Sequence, residues 1–156
     1  MKNDSRPPRR VDHSGFKHGE ITQKVIGIFF DVYNELGYGF LESVYEKSLE
    51  FALISNGLRA CRKIEIPVNF RGHNVGDFEA DMLVENCVLL ELKSCRALDS
   101  AHEAQLLNYL RATDIEVGLL LNFGLRPEFK RFLFDNPRKS IRGNPCLSVA
   151  DLLTND

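Results

Sequence analysis

The sequence predicts an α/β domain, a small mixed sheet flanked by helices. Three observations predict it. Apolar residues recur at helical spacing over residues 20–57 and again around Gln105. Between those stretches the period shortens to two. A last run, "IEVGLLLNF" (115–123), is apolar almost throughout. The resulting order is helix, helix, three strands, helix, strand. With 156 residues, one domain with a substantial core is expected.

The first helix spans residues 20–36, "EITQKVIGIFFDVYNEL", with Ile21, Val25, Ile28, Phe29, Val32 and Leu36 on one stripe and Gly37 as the stop. The second, "GFLESVYEKSLEFALISNG", presents Leu41, Val44, Tyr45, Leu49, Ala52 and Leu53 and ends near Asn56-Gly57. "LRACRKIEIPVNFRG" reads as a strand broken or bent at Pro67. "RGHNVG" reads as a turn. "DFEADMLVE" and "CVLLELKSC" form two strands about Glu85-Asn86. "DSAHEAQLLNYLRAT" is a helix capped by Asp99 or Ser100. The run 115–123 is a strand covered on both faces. Beyond Gly124, "RPEFKRFLFDNPRKSIRGNP" reads as a short helix and then a basic loop.

Composition excludes little. A net charge of −2 argues neither for nor against nucleic acid. No run reaches the roughly 18 apolar residues of a membrane helix, so no membrane partner is expected. Residues 1–19 lack the apolar stretch of a signal peptide and read as a polar, disordered tail. None of Cys61, Cys87, Cys95 and Cys146 forms a CxxC pair, which speaks against zinc or iron–sulfur. Two of the four lie in apolar strand sequence and read as reduced packing residues. A cytoplasmic protein is the expectation.

The chemistry concentrates in "ADMLVENCVLLELKSC" (80–95), where Asp81, Glu91 and Lys93 interrupt otherwise apolar strands. Glu91 and Lys93 share one strand face, opposite Val88, Leu90 and Leu92. Two readings stand side by side. One is a same-face ion pair. The other is an active site, in which two carboxylates on neighbouring strands hold Mg²⁺ and the lysine stabilises charge on a phosphoryl group. Hairpin register separates them. A two-residue turn puts Asp81 opposite Leu90, facing away from Glu91. A three-residue loop, or a bulge, brings Asp81 to Glu91. On the helices, Glu42 and Tyr45 are three apart, and Gln105 and Tyr109 four apart, so each pair shares a face.

"GFLESVYE" resembles the motif of the GxxExxY protein family. The resemblance runs from about Glu20 to Gly124 and includes "LLELKS", "HEAQLLNYLRAT" and "GLLLNFG". It implies the PD-(D/E)xK nuclease superfamily, with an α-β-β-β-α-β core over residues 20–125 and a partly basic extension over 126–156. By this resemblance Asp81 is the superfamily aspartate, Glu91-Leu92-Lys93 the ExK, and Glu42 the helix glutamate that completes a metal site with Asp81 and Glu91. Gln105 and Tyr109 match the QxxxY of the RecB-like branch. Ala80 stands where the superfamily has proline, and the cysteine set of that branch's iron–sulfur exonucleases is not matched. The implied activity is Mg²⁺- or Mn²⁺-dependent hydrolysis of DNA, with RNA as the other substrate. Catalysis would rest on Glu42, Asp81, Glu91, Lys93 and Gln105. Nucleic-acid contacts would come from Tyr109, Arg96 and Arg111, with Arg62, Lys63 and the basic segment 126–142 adding charge. The rival reading is a non-catalytic nucleic-acid or protein-binding module on the same fold. A homo-oligomer or a protein partner stays open.

Overall fold

The computed structural model describes residues 16–135. Of the tail expected over residues 1–19, residues 1–15 lie outside the described residues, as do Arg138, Lys139, Arg142 and Cys146. The elements are α1 (Gly19–Leu36), α2 (Glu42–Ser55), β1 (Ala60–Phe70), β2 (His73–Val84), β3 (Val88–Lys93), α3 (Ser100–Ala112), β4 (Val117–Phe123) and β5 (Pro127–Leu133). They build one five-stranded sheet in the order β1-β2-β3-β4-β5. All neighbours are antiparallel except β3 and β4, which α3 joins as a parallel pair.

The two sheet faces bury separate cores. On one, Val25, Ile28, Phe29 and Val32 of α1 and Tyr45, Leu49 and Leu53 of α2 pack on Met82, Leu90, Leu92, Leu119, Leu121 and Phe123. On the other, Leu106, Tyr109 and Leu110 of α3 cover Ile64, Ile66, Ala80, Leu83, Leu89 and Leu120. β4 is buried along its whole length, as its nearly continuous apolar run requires. Asp99 caps α3 by accepting from the amides of Ala101 (2.9 Å) and His102 (3.1 Å), while the Asp99 amide donates back to His102 Nδ1. Gly37, at φ 69°, ends α1 and donates to the Tyr33 carbonyl.

Four local expectations are corrected. α2 starts at Glu42, and Leu41 stands 78% exposed before it. Tyr45 sets the helix's rotation. Its ring stacks on Phe123 at 4.4 Å, while its hydroxyl donates to the Gly37 carbonyl (2.7 Å) and accepts from the Phe40 amide (3.2 Å). The buried stripe is therefore Tyr45, Glu46, Leu49 and Leu53. Pro67 does not break β1, which pairs with β2 on both sides of it, but the register shifts between Val68 and Asn69 just past it; β1 is an edge strand, where a missing N–H is tolerated. The turn is only Arg71-Gly72, both at positive φ as a two-residue hairpin turn demands, and β2 resumes at His73. Pro127–Leu133 is a strand on β4, not a helix. Phe129 packs edge-on against Phe30 and Phe132 joins the α3-side core, so alternate residues serve opposite faces.

Candidate active site

The β2–β3 loop has three residues, Glu85, Asn86 and Cys87, the first two at positive φ. This pairs Val84 with Val88, Leu83 with Leu89 and Met82 with Leu90. The ladder stops there, and the same register extended one place sets Asp81 beside Glu91. In place of backbone pairing, Asp81 Oδ2 accepts the Leu92 amide at 2.7 Å. Alternation also slips at this point. Ala80 and Leu83, three apart, both pack on the α3 side. On β1 the slip is matched at Lys63, whose φ is 60°. The strands part where the carboxylates stand.

Glu91 is 3% exposed. Its Oε1 accepts from Lys93 Nζ at 3.2 Å, and its Oε2 has no hydrogen-bond partner among the described residues. Lys93 Nζ also donates to Gln105 Oε1 at 2.9 Å, and Gln105 Nε2 donates to the Tyr109 hydroxyl at 2.9 Å. Thus α3 aims the lysine through a chain of two hydrogen bonds. One of the ammonium's three N–H groups is left for another acceptor.

Burial pushes the Glu91 carboxyl up to about 7, and the neighbouring Asp81 carboxylate adds to the rise; Lys93 opposes both. Burial also raises Asp81, against the Leu92 amide that favours its charged form. A carboxyl raised in the folded state stabilises the protein below its ordinary pKa and stops doing so as pH rises through about 7. Glu91→Gln should therefore gain on the parent between pH 4.5 and 7, by roughly 3 kcal/mol at most, and level off above that. Denaturant unfolding of both proteins at pH 5, 6, 7 and 8 checks it. A difference that stays flat would show that Glu91 titrates normally.

Asp81, Glu91, Lys93, Gln105 and Tyr109 thus come together. Tyr109 is 6% exposed and lies near Phe78, so it supports Gln105 rather than presenting a ring. Glu42 is exposed, and its Oε1 accepts the Ser94 amide at 3.2 Å, just past Lys93. Ser94 Oγ donates to the Phe40 carbonyl, so Glu42 and Ser94 fasten the α1–α2 loop to the end of β3. No group of three His, Cys, Asp or Glu side chains poised for a metal occurs among the described residues. Arg96 is exposed after β3, whereas Arg111 donates to Asn108 and lies over the Phe134 ring. In the basic segment, Lys130 pairs with Glu103, and Arg131 donates to the Lys17 carbonyl. Cys87 and Cys95 are free thiols.

One residue here escaped the sequence reading. Glu46, 3% exposed, lies on the buried face of α2 and pushes Asp81 up electrostatically. It pairs with Lys63 (3.2 Å) and Arg62 (3.6 Å). The available signal was a charged residue three and seven places before Leu49 and Leu53, inside the apolar stripe.

No helix of the described residues is long and apolar enough to cross a membrane. A search of curated proteins finds no match. Among solved structures the chain is similar to the one titled "Crystal structure of SSO0001", with a TM-score of 0.50 and 19% identity. The alignment covers 74% of this chain and 59% of that one, a likeness of fold. Residues 19–132 match the family model described as the PD-(D/E)XK nuclease superfamily. A five-stranded mixed sheet between helices agrees with that match, and the chain belongs to this superfamily.

Proposed function

We propose that the chain is a metal-dependent nuclease that hydrolyses phosphodiester bonds, with DNA favoured over RNA and Mg²⁺ or Mn²⁺ as the cofactor. The observation that carries this reading is the meeting of Asp81 and Glu91 at the parted strands, with Lys93 held beside them. Two partly buried carboxylates with an unpartnered Glu91 Oε2 suit a hard divalent cation. When bound, such an ion makes water more acidic and offsets charge on the phosphoryl oxygens. Asp81 and Glu91 would hold it.

Lys93 places a positive charge beside the reacting phosphate. Gln105 and Tyr109 are positioning residues, since they act through Lys93. Their hydrogen bond gives the QxxxY pattern of the RecB-like branch a physical meaning. The GxxExxY pattern reads in the same way. Gly39, at φ 108°, allows the loop, Glu42 fastens it to Ser94, and Tyr45 locks α2 onto Phe123. We assign Arg96 to the nucleic-acid backbone ahead of Arg111, which is engaged at the far end of α3.

Calorimetric titration of Mg²⁺ and Mn²⁺ into the parent and Asp81→Ala, followed by cleavage assays on labelled single- and double-stranded DNA and RNA, tests the proposal. The expected result is metal binding by the parent, at least tenfold weaker binding by the variant, and cleavage that requires the metal. Nucleic-acid binding without metal binding or cleavage would support the binding-module reading instead.

A further inference from the structure

We propose that Lys63 is a displaceable counter-ion of this site, a positioning residue whose ammonium rests on Glu46 and Glu79 beside Asp81 until a divalent cation arrives. The inference rests on the metal-dependent reading above. Lys63 lies opposite Asp81, in the gap between the pairs Arg62–Met82 and Ile64–Ala80. Its φ of 60° is a conformation that a lysine rarely adopts inside a strand. Its ammonium lies 3.2 Å from Glu46 Oε2 and 3.5 Å from Glu79 Oε1.

Two features separate Lys63 from a plain structural ion pair. Glu46 is already served by Arg62, which also pairs with Glu50 at 2.6 Å. Yet Glu46 Oε1 accepts no hydrogen bond among the described residues. Lys63, in contrast to its buried partner, has a half-exposed side chain and a long flexible stem, so it can leave. A divalent cation held by Asp81 would repel the ammonium, and the exposed, flexible stem lets it withdraw.

The test is calorimetric titration of Mn²⁺ alone into the parent and three variants, with folding followed by circular dichroism. Lys63→Asn removes the charge with a residue that tolerates the left-handed backbone, and Lys63→Gly does so with no steric demand. Both should bind Mn²⁺ three- to tenfold more tightly than the parent. Arg62→Gln, which removes the adjacent cation, should change the affinity less than twofold. Unchanged or weaker binding in both Lys63 variants overturns the proposal. An equal gain in Arg62→Gln also overturns it, because it would reflect general charge. A parent that binds no Mn²⁺ overturns the nuclease reading itself, and this inference with it.

Discussion

Lys93→Ala is expected to lower single-turnover cleavage by about a thousandfold while leaving the fold intact. The ammonium is fixed by Glu91 at 3.2 Å and Gln105 at 2.9 Å, so its charge is organised before any substrate arrives. Removing a preorganised charge of this kind costs about 10²–10³ in rate. Loss of the lysine also leaves Glu91 nearly buried without its counter-ion. That drives the carboxyl further toward its protonated form and weakens any cation site. Stability should change little at neutral pH, because a protonated Glu91 avoids most of the cost of an unpaired buried charge. Gln105→Ala should cost less, about tenfold to a hundredfold, because the lysine remains but is no longer aimed. Rapid-quench kinetics on a labelled duplex, beside thermal melting, would measure both. Lys93→Ala retaining activity within tenfold of the parent would remove Lys93 from the chemistry.

Gly124→Ala should destabilise the protein by about 3 kcal/mol or more, a melting shift of roughly 10 °C. A Cβ at this position would meet the Cys95 carbonyl oxygen at 2.0 Å and Asn122 Nδ2 at 3.0 Å. Neither neighbour yields easily. Asn122 is fully buried, and it clamps Cys95 from both sides, its Oδ1 accepting the Cys95 amide at 3.0 Å and its Nδ2 donating to the Cys95 carbonyl at 2.9 Å. The Gly124 carbonyl is itself held by the Tyr33 hydroxyl at 2.9 Å. The backbone must therefore move, and Cys95 lies two residues past Lys93. The variant should lose cleavage beyond what its lower stability explains. Denaturant unfolding that shows a loss below 1 kcal/mol would mean that β4 relaxes away from the contact.

Periodicity alone determined much of this protein. The helical stripe of α1, the nearly continuous apolar run of β4 and the capped start of α3 each follow from local spacing, because burying a face depends on which residues share it. Asp81, Glu91 and Lys93 were legible for the opposite reason: charge is costly inside apolar sequence unless it is used or paired. Gln105 entered only through the family resemblance. Spacing did not reveal the length of the β2–β3 loop. Two residues or three fit the same alternation, and the extra residue, Cys87, is what sets Asp81 beside Glu91. Nor did it reveal which helix glutamate faces Asp81. Glu42 and Glu46 share a face of α2, and only the Tyr45 ring on Phe123 turns Glu46 inward. β5 was hidden for a related reason. "RPEFKRFL" carries too few apolar residues to announce a strand, and its conformation comes from the open edge of β4, whose buried backbone groups need partners. Short-range pattern determined what each segment wants to bury. Long-range contact decided the register, the rotation and the edge, because those depend on a surface that the segment does not itself contain.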